Sequence, residues 1–385
     1  MKGITKWLLG AIGFWAQTPT WASPPKTAPK TGTDQAVQAG PPAAMRSSQE
    51  ASPILSAAER WARRCQPVRA PQRHVYPQGA LLWGTKRQSP KDERSSVLVS
   101  VDLGSLRLEG KDVRAVSVEA GHLEAMAVMS GAAASGTPAS LAAGEFVGGV
   151  FEGRASDGPP VEVAICGVEP EAQEPERVWY RIQAWNEKAQ EWENPCAATD
   201  AMPMPRALAV RGVWDAEGAR REGAGRFTWA CEAGAIAKCI GWGYKPWQSK
   251  DGHLLVDHHQ ACTRMARADY CGNGRSHTKP GNLIDMYDRA GVQQRATAPV
   301  AGWDPAQVAF EAAWTTEGAY CLEHTREGQA RKAILAECPD RFVTGVAEDL
   351  GEGDRCTVRR KGATAAAILL RNWSEGKGET SVAKR

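Results

Sequence analysis

HHQACTRMARADYCGNGRSHT, residues His258 to Thr278, is the densest run of unusual side chains in the chain, and it lies within a longer segment from Cys231 to Asp288. That segment holds Cys231, Cys239, Cys262 and Cys271, the histidines His258, His259 and His277, and the turn-like GYKPW at Gly243 to Trp247. The spacing predicts a helix over His253 to Tyr270, with Leu254, His258, Cys262, Met265 and Asp269 on one face and Leu255, His259 and Ala266 beside it. Arg264 and Arg267 then point away, towards solvent or another segment. Cys262 faces inward, where a buried thiol or a bridge suits it. If the helix persists to Tyr270, Cys262 and Cys271 stand about 13 Å apart along its axis, beyond the roughly 7 Å that a disulfide spans. Cys262 is therefore expected to bridge to Cys231 or Cys239, and Cys271 to find a different partner. Cys321 and Cys338 flank a second predicted helix and could pair with each other or with this cluster.

Three kinds of chemistry can be weighed on these residues. A zinc site could draw on His258 or His259 with Cys262, adding Cys271 and His277, but the sequence holds no CxxC pair and no HExxH. Disulfides with packed or surface histidines are the better reading, and no metal and no cofactor is expected. A Ser-His-Asp set could use Ser276, His277 and Asp285 or Asp288, yet neighbours in sequence rarely make the required hydrogen bond, and no GxSxG elbow is present. A thiol enzyme built on Cys271 and His277 fails if Cys271 is bridged. Gly272-Asn273-Gly274 reads as a turn that needs positive φ just past a helix end. Asp269 reads as a buried carboxylate that pins this turn through backbone N–H groups. Asn282, Asp285 and Asp288 offer oxygen ligands without the order of a calcium loop. Trp242, Tyr244 and Trp247 could form a sugar- or peptide-binding platform, though packing around a small core is the commoner use of such residues. The candidate functional region is thus His258, His259, Arg267, Asp269, Tyr270 and His277.

FTWACEAGAIAKCIGWGYKPW (Phe227 to Trp247), DHHQACTRMARADYCGNGRSHT and GNLIDMYD together resemble the ADYC domain of exported bacterial proteins of the myxobacterial type. The domain's eponymous string is Ala268, Asp269, Tyr270 and Cys271 here, and AVRGVWD (Ala209 to Asp215) and AWTTEGAYC (Ala313 to Cys321) also fit. The resemblance covers roughly residues 200 to 340. It implies an exported protein of unknown function and brings no catalytic residues with it.

Working outward, the 385 residues suffice for about two domains. Met1 to Ala22 carries two lysines, an apolar run from Trp7 to Ala16 and small residues at its end, the layout of a secretory signal peptide. Ten apolar residues cover about half of a bilayer core, and no later run is long enough to cross one, so the mature chain is expected to lack a transmembrane segment. Without the leader, 45 basic residues face 44 acidic ones, a balance that argues against nucleic acid as a partner. The ten cysteines (Cys65, Cys166, Cys196, Cys231, Cys239, Cys262, Cys271, Cys321, Cys338 and Cys356) form an even set, which an exported chain is expected to pair.

Residues 23–55 read as a flexible spacer rich in Pro, Ala, Thr and Ser. Ser56 and Glu59 then form a capping-box pattern on a short helix leading to Cys65. Residues 76–200 alternate with period two in short runs, of which VWYRIQAW places Val178, Tyr180, Ile182 and Ala184 on one face. A β-rich, sandwich-like or barrel-like domain is expected there, with the Gly131 to Gly144 tract as a loop. An α+β, disulfide-braced ADYC domain is expected over 201–360, with Asp200 to Pro205 as the boundary and helices at GAIAKCIGW, HLLVDHHQACTRMARADY, PAQVAFEAAW and REGQARKAILAEC. Residues 361–385 end in a polar tail. The whole reads as an exported (periplasmic, cell-surface or extracellular) non-catalytic binding or structural module whose partner is an envelope protein, glycan or peptide. The alternative is a secreted hydrolase, metal-assisted or not, with its site around His258 to His277.

Overall fold

Six runs with alternating apolar residues pair in chain order, each antiparallel to the one before: β1 (Ser100–Asp102), β2 (Val150–Arg154), β3 (Pro160–Pro170), β4 (Val178–Asn186), β5 (Ala207–Arg211) and β6 (Arg226–Cys231). The last strand returns to the first, with Val101 opposite Phe227, so the sheet closes into a six-stranded meander barrel with no free edge along this ring. This computed structural model describes residues 54–68, 80–130, 137–299 and 303–375. The expected signal peptide lies outside the described residues, as does the spacer apart from Ile54 and Leu55, and so do residues 376–385 of the tail.

Closure corrects the sandwich-like expectation. The inward face is the one the alternation predicts, with Val178, Tyr180 and Ile182 meeting Phe151, Phe227 and Trp229. A six-stranded ring leaves a narrow interior that a few large rings fill. Phe227 and Trp229 stand edge to face at 4.9 Å, and Tyr180 approaches Trp229 at 5.0 Å, opposite the small Ala207 and Ala209. A hairpin in the β1–β2 connection, Lys111–Glu119 and His122–Met129, adds Val118, Leu123 and Ala125 to this core. The Tyr180 hydroxyl accepts the Leu123 N–H at 2.8 Å, and burial pushes its pKa up to about 12. Within the Gly131 to Gly144 tract, Ala139–Ser140 pairs with this hairpin.

The capping box at Ser56 and Glu59 opens α1 (Ala57–Ala62) as its sequence predicts. Trp61 packs towards the edge-to-face pair Trp185 and Trp192 on the outside of the barrel, its indole N–H donating to Glu162 at 3.0 Å. Cys65–Cys166 then clips the segment to β3.

Two strands beyond the Asp200–Pro205 linker, β5 and β6, complete the barrel, and Cys196–Cys231 ties the linker's two sides together. Outward-facing Leu208, Val210 and Ala230 receive α2 (Ala235–Gly241) through Ala235, Ile236 and Ile240. Cys239–Cys262 staples α2 to α3 (Val256–Arg267). Helix α3 in turn lays Cys262 and Met265 on one face of a second antiparallel sheet, against Trp314, Leu322 and Leu370. That sheet comprises β7 (Ile284–Asp288), β8 (Ala309–Thr315), β9 (Gly318–Leu322), β10 (Phe342–Asp349), β11 (Arg355–Arg360) and β12 (Leu370–Ser374), in the order β7-β12-β8-β9-β11-β10. A fourth short helix, α4 (Arg331–Glu337), precedes β10. The chain is therefore β-rich with short helices and five disulfides, and the α+β description is too helical.

Two helix expectations change. PAQVAFEAAW is a strand after a single 3-10 turn, because β8 is buried between α3 and the opposite face of the sheet, and tertiary burial on both sides outweighs the helix propensity of Ala and Glu. The central helix starts at Val256, since His253–Leu254 pairs with Ser249–Lys250 across the turn at Asp251 and Gly252.

Candidate functional site

Helix α3 stops because Ala268 takes the left-handed conformation (φ 50°, ψ 42°), its N–H closing onto the carbonyls of Arg264 and Met265. The next residue secures the turn. Asp269 is fully buried, and its Oδ1 accepts the Asn273 N–H at 3.1 Å while Oδ2 accepts the Gly274 N–H at 3.0 Å and Arg264 Nη1 at 2.6 Å. Gly272 and Gly274 both have positive φ, as the GNG reading requires, and a Cβ on Gly272 would stand 1.8 Å from the Glu317 carbonyl oxygen. Tyr270 is buried against Trp314, donating its hydroxyl to Glu311 and accepting the Arg326 N–H, each at 3.0 Å. Cys271 bridges to Cys338 after α4. Tyr270 and Cys271 thus tie the end of α3 to the sheet and to α4, while Asp269 pins the following turn to α3 and Ala268 packs in the core between them.

The carbonyls released at the end of α3 are met by cations. Arg360 donates to the Tyr270 and Cys271 oxygens at 3.0 and 3.2 Å, and Arg341 to Cys271 at 2.7 Å. Burial, with Arg341 close by, pushes the Arg360 pKa down to about 10. Arg264 and Arg267 are buried and serve another segment, the second of the two directions open to them. Arg267 donates to the oxygens of Ala80 and Gly274 at 2.9 and 2.6 Å, and burial lowers its pKa.

The histidines go to three places. His259 is fully buried, its Nε2 3.1 Å from the Ile236 oxygen and its ring edge-on to Trp214; burial pushes its pKa down to about 4. His258 stacks on Tyr244, and burial lowers its pKa as well. His277 is held at 3.1 Å by the Ala268 oxygen at Nδ1 and at 3.0 Å by Glu337 at Nε2. Burial alone would raise the Glu337 pKa, but hydrogen bonds from His277 and Asn273 outweigh it and hold the carboxyl below its usual range.

Ser276 does not face His277. Its hydroxyl donates to the Arg267 oxygen at 2.8 Å and accepts the Ala80 N–H at 2.8 Å. Asp288 accepts the Tyr244 hydroxyl at 2.8 Å, burial and then the charge of this carboxylate raise the tyrosine's pKa, and Asp285 caps the Ala296 N–H. The Ser-His-Asp residues therefore sit in separate networks. Among the described residues no group of three or more His, Cys, Asp or Glu is arranged to hold a metal ion. All ten cysteines are paired, Cys321 with Cys356, so Cys271 is no nucleophile. Tyr244 is fully buried, and Trp242 and Trp247 are half-buried against different clusters, so the three aromatics share no single open face.

What remains accessible beside the ADYC turn is an open polar cleft of about 1230 Å³. Its walls are the 87–94 loop, the turn residues Arg275 to His277, and Glu337 on α4. Lys91, Asp92, Glu93 and Arg94 face Arg275 and Glu337 across it, charges of both signs on opposing walls. Sequence reading missed this loop, and also the buried pair Glu311 and Arg326 (2.9 Å) under Tyr270. Neither carries a local signal, because partners more than a dozen residues apart in sequence make them.

No curated protein and no solved structure matches the chain. Residues 143–328 match the family described as the ADYC domain, a span that takes in most of the barrel, α2, α3 and the turn after it. Over residues 143–328 the chain carries an ADYC domain, whose eponymous string is the knot that joins central helix, sheet and disulfides.

Proposed function

We propose that the protein is an exported, non-catalytic binding module of an oxidising compartment, with the cleft beside the ADYC turn as its ligand face. The observation that carries this reading is a division of labour at one turn. Asp269, Tyr270 and Cys271 are used up inside the fold, while Arg275, His277 and Glu337, a few residues or one disulfide away, line open space. Pinning a loop from within and presenting charged groups from its outer side suits recognition by a rigid surface. Walls of both signs suit a polar, hydrogen-bonding partner such as a glycan or peptide of the cell envelope. Five disulfides and the Met1 to Ala22 leader pattern support export.

The test is calorimetric titration of the oxidised chain with a panel of envelope glycans and peptides, beside an Arg275→Glu variant. Arg275 is exposed, so reversing it leaves the core alone. Saturable binding that the variant loses, with no turnover of the bound compound, is the expected result. Turnover that stops in His277→Ala would replace this reading with an enzyme.

A further inference from the structure

The second sheet has a face away from α3, and we propose that it carries a separate pocket for a flat apolar group bearing a positive charge. The pocket measures about 560 Å³, within the range usual for small-molecule sites. Phe310 at the start of β8, Cys356 on β11 and Trp373 on β12 line it, and Ala347 closes it from β10. Much of this wall follows residue 328, where the family match ends, while Ala309, Phe310 and Glu323 lie within it.

The pocket is built rather than incidental. The β10–β11 hairpin that closes it turns through Gly351, Glu352 and Gly353, all three with positive φ. The turn is anchored by fully buried Asp354, which accepts Arg371 Nη1 at 2.8 Å, Trp373 Nε1 at 2.9 Å and the Tyr287 hydroxyl. Cys321–Cys356 fixes the same hairpin to β9 from the other side. A wall held at both ends leaves little ordering to be done on binding.

Charge selects the ligand's sign. Glu323, Glu348 and Asp349 line the pocket against the lone Arg355. Each carboxylate keeps a partly exposed arginine partner, at 3.3 Å to Arg331, 3.4 Å to Arg359 and 2.9 Å to Arg355. Such partly exposed pairs are weak and can be exchanged for a ligand cation that is itself shielded from water. The chain already uses one of these rings in that way, since the Arg295 guanidinium lies 3.6 Å from the Trp373 ring centroid. An apolar floor whose three lining carboxylates outnumber its one lining arginine, once those weak pairs are exchanged, accepts aromatic or alicyclic amines ahead of acids of the same shape.

Calorimetry on the full oxidised chain with tryptamine, indole and indole-3-acetate tests this. Tryptamine should bind saturably, indole about tenfold more weakly, and indole-3-acetate not at all. Ala347→Phe, at an exposed position, should remove tryptamine binding while leaving the melting temperature unchanged. Glu348→Gln should weaken the amine and leave indole unaffected. No saturable tryptamine signal, equal binding of amine and acid, or full binding by Ala347→Phe would each overturn the proposal.

Discussion

Arg264 Nη1 and Asp269 Oδ2 meet at 2.6 Å across the end of α3, with neither side chain open to solvent. The same carboxylate holds two backbone N–H groups of the GNG turn, so it serves at once as counter-ion and as loop anchor. Asp269→Asn keeps the size but removes the charge and leaves Arg264 buried without a counter-ion. Breaking a buried pair in this way costs about 3–5 kcal/mol, and urea unfolding with disulfides intact should show it. Arg264→Met combined with Asp269→Asn should cost less than the two single changes added together, because the orphaned charge is gone. Additive costs would show that the two groups do not depend on each other.

Ala268, the first residue of the string, sets two effects against each other. Left-handed backbone costs an L-residue about 1–2 kcal/mol, which glycine would relieve. The methyl is fully buried in the α3–sheet core, and losing it forfeits about 0.8 kcal/mol. Ala268→Gly should therefore shift stability by no more than about 1 kcal/mol. Ala268→Val, which adds a branched side chain at the same φ, should destabilise by several times that. Both values follow from denaturant midpoints, and a large loss in the glycine variant would mean the methyl packs better than its area suggests.

Cys65–Cys166 differs from the other bridges in exposure, for both its residues are half-buried while the remaining eight cysteines are buried. Under a mild reductant followed by alkylation and mass spectrometry, Cys65 and Cys166 should label first. The bridge closes a loop of sequence separation 101, for which loop entropy predicts about 4–5 kcal/mol, with strain able to reduce it. Cys65→Ser should also loosen α1 and bare Trp185 and Trp192, readable as a red shift in tryptophan emission. First labelling at Cys271 or Cys338 would contradict this order.

The local parts of this architecture were legible in the residues themselves. The capping box at Ser56, the alternation of Val178, Tyr180 and Ile182, the positive-φ glycines after Ala268 and the pinning role of Asp269 each depend on neighbours within a few positions. Axial rise argued against Cys262–Cys271 for a helix running to Tyr270; α3 stops at Arg267, yet the two cysteines do take different partners, Cys239 and Cys338. Ring closure was not legible, because it rests on two residues of the three-residue β1, Val101 and Asp102, pairing with β6 more than a hundred positions away. The strand β8 was hidden for the opposite reason, its Ala and Glu favouring helix until the sheet buries them. The 87–94 wall of the cleft, likewise, is brought to Ser276 through a contact between Glu93 and that residue's N–H that no spacing announces.

His259 makes the fold pH-dependent. Burial first, and the charge of Arg220 after it, hold its pKa at about 4 against an ordinary 6.5, despite the opposing hydrogen bond to Ile236. Between these values the unfolded chain binds a proton that the folded chain refuses, so stability rises with pH. The contribution is fully present above 6.5 and is lost as the pH falls from there through about 4, amounting to about 3 kcal/mol for a fully buried ring. His258, also lowered by burial, adds a smaller change of the same sign. His259→Gln retains a donor for the Ile236 oxygen but cannot titrate. Urea midpoints of the two proteins at pH 7.5 and pH 4.5 should therefore show a shallower pH dependence in the variant. Parallel pH profiles would mean that His259 takes up its proton inside the fold, with water reaching the Nδ1 atom that now has no partner among the described residues.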